Sequence, residues 1–250
     1  MPARKRGLVP RNVGLLQLIR AKRQWHWKPT PEQLRQGFRG WHQRGYLPHF
    51  DAPQVTQMVT FMLADSFPVT RRTEWEPILH EPEASVKRRK LEAWLDRGHG
   101  ECWLGRAAVA SSVESALLES DGKDFELQAW VLMPNHVHLV VDVWDTPLAK
   151  LIGGWKGKAS RQANLVLGRS GPFWQPDYFD TVIRDEEHLR RAIHYTEHNP
   201  GKASLVRDPR HWQWGSARRR DERGQLAWRL PPKTSVWPVA RRSAAFTPLQ

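Results

Sequence analysis

The chain has 250 residues and a formal net charge of +13, which suits one sizeable domain with appendages and a polyanionic partner. No run approaches about eighteen consecutive apolar residues, which excludes a transmembrane helix. The single cysteine, Cys102, excludes an intramolecular disulfide framework and a cysteine-built zinc site. The N-terminal MPARKRGLVPRNVGLLQLIR lacks a clear apolar core and a small-residue cleavage site, so no secretory signal is read there and a cytoplasmic location is expected.

The charge is uneven. Residues 1–49 hold 11 Lys and Arg against one acid, Glu32, and residues 217–250 hold 8 against two, Asp221 and Glu222. The two ends carry +10 and +6, which leaves −3 for residues 50–216. Arginine is interleaved with Trp25, Trp27 and Trp41 at one end and with Trp228 and Trp237 at the other, a pattern that fits phosphate contact and base stacking. A basic tail kept for solubility is the plainer alternative.

In chain order, residues 1–45 read as a basic arm with one or two helices. The run 30-TPEQLRQGFRGWHQRG-45 starts well, with Thr30 as cap, Pro31 at the first position and Glu32 in the first turn, and Gly45 is expected to end it. A first core strand is expected in 53–65, a charged helix over 83–98 and a core-facing helix over 104–120. Asp121-Gly122 marks a turn. Two strands follow, 126-ELQAWVLM-133 and 137-VHLVVDVW-144. A long helix then spans about 147–167, with Lys150, Lys156, Lys158 and Arg161 on its polar face. Within it Gly153, Gly154 and Gly157 each cost about 1 kcal/mol, which suggests a kink or a close approach of backbone or DNA. A short strand over 178–183 precedes a helix that begins near Asp185 and stops before Pro200. After Arg210 the pattern decays into a Pro- and Arg-rich tail, expected to be poorly ordered.

Without the arms and the charged helix, the order βαββαβ plus a last helix matches the ferredoxin-like α+β fold. That fold is an antiparallel sheet with helices on one side. The expected layout is a basic arm at 1–45, a domain at 46–216 and a basic tail at 217–250.

His136 and His138 stand two apart in a strand and so project from one face. Two neutral imidazoles converging on one point suit a divalent metal, although the pair alone equally describes two half-exposed histidines on a sheet surface. On the last helix, Tyr195 and Asn199 are four apart and share a face. They supply a candidate reacting group and a candidate third ligand. Each also has a plain structural reading: an aromatic at a helix–sheet boundary, and a C-terminal cap ahead of Pro200.

The segments 130-WVLMPNHVHLVV-141, 171-GPFWQPDYFDTVIRDEEHL-189 and 194-HYTEHNPGKASLV-206, with the lead-in 46-YLPHFDAP-53, resemble the REP-associated tyrosine transposases. These are single-tyrosine members of the HUH nuclease superfamily, and the resemblance covers roughly residues 46–216. It implies a ferredoxin-like sheet, a divalent cation (Mg²⁺ or Mn²⁺) on His136, His138 and Asn199, and Tyr195 as nucleophile. It further implies cleavage of single-stranded DNA near a palindromic hairpin, leaving a 5′-phosphotyrosine and a free 3′-hydroxyl. The chain departs from the family in the polar Thr196-Glu197-His198 after the tyrosine. Glu197 and His198 point away from Tyr195 and read as surface residues.

Expected partners are single-stranded and hairpin DNA, with Lys150, Lys156, Lys158 and Arg161 as phosphate contacts. No membrane is involved, and the state is monomer or homodimer. Two other readings stay open: a structured DNA- or RNA-binding protein without cleavage, and a metal-dependent hydrolase that uses water.

Overall fold

The computed structural model describes residues 27–44 and 47–226. Expectations for residues 1–26, 45–46 and 227–250, including Tyr46, Trp25, Trp228 and Trp237, lie outside the described residues.

The first helix, α1, is short (Pro31–Gln36). Thr30 and Gln33 cap it reciprocally, and Gly37 at φ 107 ends it. Only glycine adopts that backbone without strain, so the helix expected to reach Gly45 stops eight residues earlier. A hairpin follows, β1 (Gly40–Arg44) and β2 (Leu47–Asp51). The core then runs through β3 (Val55–Met62), helices α2 (Arg72–Leu79) and α3 (Ala84–Leu95), α4 (Ala107–Leu118), β4 (Phe125–Leu132), β5 (His136–Val143), α5 (Leu148–Leu167), β6 (Phe179–Val182) and α6 (Glu186–Lys202).

The main sheet has the order β4-β5-β3-β6, and all of its neighbours are antiparallel. This is the expected ferredoxin-like order. Alternation along the strands divides the two faces. Val59, Phe61, Val137, Leu139 and Val141 pack with Val113, Leu117, Ile152 and Trp155 of α4 and α5. On the opposite face Met58, Ala129, Val140 and Ile183 pack with Ala192, Leu189, Ile193 and Tyr195, so α6 lies across the sheet from α4 and α5. Beside it, α3 lays Leu91, Trp94 and Leu95 against Met62.

Helix α6 does not stop before Pro200. It continues to Lys202, where the Ala203 N–H donates to the Asn199 carbonyl at 2.9 Å. The chain after Arg210 is also not a tail throughout. It runs along the outer edge of β4 and satisfies that edge. Trp214 O accepts from Leu132 N at 2.8 Å, Trp212 Nε1 donates to Leu132 O at 2.9 Å, Ser216 Oγ accepts from Trp130 N at 3.1 Å, and Arg220 donates to Gln128 O at 2.9 Å. Consecutive arginines then straddle the sheet. Arg219 pairs with Glu114 of α4 on one face, and Arg220 with Glu197 of α6 on the other.

At the opposite edge, a charged clasp holds the hairpin to β6. His49 bonds Asp180 at 2.5 Å and Asp177 at 3.0 Å. The second oxygen of Asp180 accepts from Phe50 N and Gln57 Nε2, each at 3.0 Å. Burial opposes charge on the His49 ring, but hydrogen bonds and attraction from the two aspartates outweigh it and raise its pKa to about 9.

Candidate active site

Strand β5 carries His136 and His138 beneath α6, both about 1% exposed. Their Nε2 atoms approach to 3.0 Å. Each Nδ1 is held from behind: His136 by Asn135 Oδ1 at 2.7 Å, and His138 by Thr60 Oγ1 at 2.7 Å. The Asn135 amide nitrogen donates to His99 O at 3.1 Å, which leaves its oxygen facing His136. His136 therefore carries its proton on Nδ1 and presents a lone pair at Nε2. The Thr60 hydroxyl can donate or accept, so His138 is free to take the same tautomer.

Burial, with the charge of Lys202, lowers His136 to about 3. Burial, with His136, Arg88 and Lys202, also holds His138 well below its ordinary value. Two neutral rings thus bring their Nε2 atoms to 3.0 Å, where one shared proton or a bound cation can sit between them.

Tyr195 stands edge-on to His138 at 5.4 Å between ring centroids. Its hydroxyl is buried with no aligned hydrogen bond, the Glu92 carboxylate lying close by, and both amide atoms of Asn199 one turn on are buried without a partner. Buried polar groups are nearly always paired, and here three orphaned atoms sit on the helix face that covers the histidine pair. Among the described residues no group of three or more His, Cys, Asp and Glu side chains could hold a metal, so the candidate set needs the Asn199 amide. A His/His/Asn set of nitrogen and oxygen donors suits Mn²⁺ and accommodates Mg²⁺, and the orphaned Asn199 oxygen fits such an ion.

Burial raises the Tyr195 phenol above its ordinary range, as do the nearby carboxylates of Glu92 and Asp96, and Arg88 opposes them. The Arg88 guanidinium lies 5.9 Å and the Lys202 ammonium 5.4 Å from the Tyr195 ring. Lys202 also pairs with Asp96 at 3.1 Å. These charged neighbours escape sequence reasoning. Arg88 and Glu92 show a helical i,i+4 pair, but nothing local says that α3 docks beside α6.

Other expectations resolve differently. Glu197 is buried, not at the surface: it accepts from Arg220 Nε at 2.8 Å and Ser216 Oγ at 2.5 Å. His198 is exposed, as expected. The basic residues of α5 belong to the helix on the far face of the sheet, away from the histidines. Lys150 donates to Gln36 O at 2.6 Å, Lys156 holds Gln175 O and Asp177 O at 2.9 and 2.8 Å, Lys158 pairs with Glu119, and Arg161 is exposed. Gly153 and Gly154 face open space in an unbroken helix, so no protein backbone approaches them.

Residues 109–199 match the profile of the family described as "Transposase IS200 like". That span contains both histidines and Tyr195, and it ends on Asn199. This segment is therefore similar to the IS200-like transposases. A REP-associated tyrosine transposase of Escherichia coli (strain K12) is 27% identical over 104 residues, which cover 41% of this chain and 60% of that protein. A solved structure described as a REP-associated tyrosine transposase bound to a REP hairpin aligns at TM-score 0.44 and 17% identity, over 82% of this chain and 99% of that one. No helix among the described residues is long and apolar enough to cross a membrane.

Proposed function

We propose that this chain is a divalent-metal-dependent single-strand DNA endonuclease and transposase that acts beside hairpin DNA, with Tyr195 as nucleophile. The observation that carries the reading is the set of orphaned Tyr195 and Asn199 atoms packed over two converging neutral imidazoles. A fold that merely gripped nucleic acid would have no use for that arrangement.

His136 Nε2, His138 Nε2 and Asn199 Oδ1 would hold Mg²⁺ or Mn²⁺, which when bound draws charge from the scissile phosphate and its leaving oxygen. The chain's own residues supply the rest. α6 presents the Tyr195 oxygen in line with the phosphate. The phenolic proton departs with Glu92 and Asp96 close by as acceptors. The Tyr195 O–P bond forms as the P–O3′ bond breaks, and the 3′-oxygen leaves as a hydroxyl once protonated. The phosphotyrosine keeps the bond energy, so a 3′-hydroxyl can attack it, rejoin the strand and return the free phenol.

In this reading residues 46–216 are the catalytic unit, and 1–45 and 217–250 are basic arms. Of these, 27–44 and 217–226 fold back onto the unit. The outer face of α5 (Lys150, Lys158, Arg161) would contact phosphates of the hairpin stem, where the exposed Gly153 and Gly154 leave room for a close approach, while Lys156 is turned inward to the carbonyls of Gln175 and Asp177. A cytoplasmic location and a monomeric or homodimeric state belong to the same reading.

The test is a denaturing gel of end-labelled single-stranded DNA that carries a hairpin from the source genome. A protease-sensitive, protein-linked band that requires both Mn²⁺ and Tyr195, and is lost in Tyr195→Phe while DNA binding survives, is expected. Nicking that persists in Tyr195→Phe would assign a water-using hydrolase. DNA bound but uncut under every condition would assign a binding protein.

A further inference from the structure

Beside Tyr195, on the side away from Asn199, lies a cavity of about 290 Å³ lined by Arg88, Arg184, His188, Arg191, Ala192 and Tyr195. Three elements supply its charge: Arg88 comes from α3, Arg184 from the turn after β6, and Arg191 from α6. No carboxylate lines it. The nearest acids lie outside the lining: Glu92 pairs with Arg88 at 3.0 Å, Glu187 with Arg190 and, at 3.9 Å, with Arg191, and Asp185, which caps α6, attracts Arg191 and Arg184 from a distance. Burial, with Arg184, Arg88 and Arg191, lowers the pKa of His188 against the pull of Asp185. The Arg184 N–H faces its Nδ1 at 3.3 Å. Guanidiniums gathered round a concavity repel one another until an anion enters, and their planar forks match phosphate oxygens.

The pocket's reach indicates which phosphate it takes. Arg191 stands four residues and His188 seven residues before Tyr195, which at helical rise is about 6 and 10 Å along α6. The pocket runs from Tyr195 back along α6, so a strand whose scissile phosphate sits at the tyrosine would bring a flanking phosphate within reach of these side chains. We propose that Arg88, Arg184 and Arg191 form a subsite for the phosphodiester next to the scissile one in single-stranded DNA. The subsite orients the strand past Tyr195 and rests on the reading of Tyr195 as nucleophile.

The experiment uses the full chain with Tyr195→Phe and a fluorescein-labelled dT20 strand, followed by anisotropy across salt concentrations. Arg184→Ala/Arg191→Ala is compared with Arg207→Ala/Arg210→Ala, which removes the same charge from exposed positions outside the pocket and outside the basic arms. The pocket variant is expected to bind at least about tenfold more weakly, with a salt slope shallower by about 0.7 for each phosphate it no longer neutralises. The control should change affinity less than about twofold. Equal losses in the two variants, or none in either, would overturn the subsite.

Because the four arginines replaced are exposed, equal melting temperatures should show that all proteins are folded. A parallel assay of covalent adduct with Tyr195 intact separates the two claims. If no DNA ever gives an adduct while the pocket variant alone loses affinity, the nucleophile reading fails and the subsite stands. If both arginine variants form adduct as fast as the parent at limiting DNA, the subsite fails and the nucleophile reading stands.

Discussion

Asn199 holds both ends of its amide in the interior without a partner, at a cost of about 1–3 kcal/mol. Side chains kept at such a cost often serve a site at the expense of the fold. Asn199→Ala is therefore expected to melt at the parent's temperature or above it in chelator, and to lose the rise in melting temperature that Mn²⁺ gives the parent. A fall of several degrees in chelator with the Mn²⁺ response intact would show that the amide serves packing instead. At this scale, what is legible in the sequence is what a single element determines. A two-residue period places His136 and His138 together, and a four-residue helical spacing does the same for Tyr195 and Asn199. Arg88 and Glu92 are not legible as site residues, because their place beside Tyr195 depends on how α3 packs against β3. Glu197 misleads for the same reason. Its helix position is as expected, but the chain that buries it arrives from Arg220.

Element starts are easier to read than element ends. Thr30 caps α1 and Asp185 caps α6 as their sequences imply, since a cap is a bond between near neighbours. The ends are set by backbone choices that the sequence leaves degenerate. Gly37, Gly40 and Gly45 could each terminate a helix, and the hairpin that follows α1 forms because its strands find β6 and α5. The clasp at that hairpin makes a prediction. With its folded pKa raised to about 9 against an unfolded value near 6.5, His49 favours the folded state most fully below pH 6.5. That contribution declines between the two values and is gone above about pH 9. The loss is up to about 3 kcal/mol. Thermal melts from pH 6 to 10 should show the parent losing more stability across this window than His49→Gln. Parallel curves for the two proteins would mean that the clasp contributes no charge-dependent stability.

For the whole molecule, composition reads correctly as a near-neutral body with cationic ends. Residues 1–26 hold seven Lys and Arg and no acid. Deleting them is expected to make the log–log salt dependence of binding to hairpin DNA shallower by about 0.9 for each duplex phosphate that the arm neutralises. An unchanged slope would show that this arm does not reach the DNA.

The chain beyond Arg210 bears on a different matter, how copies of this protein can meet. It occupies the free backbone groups of β4 from Gln128 to Leu132, while the hairpin and its clasp cover β6 through Asp180. With the β4 margin closed in this way, a second copy could add a strand there only by displacing the chain beyond Arg210.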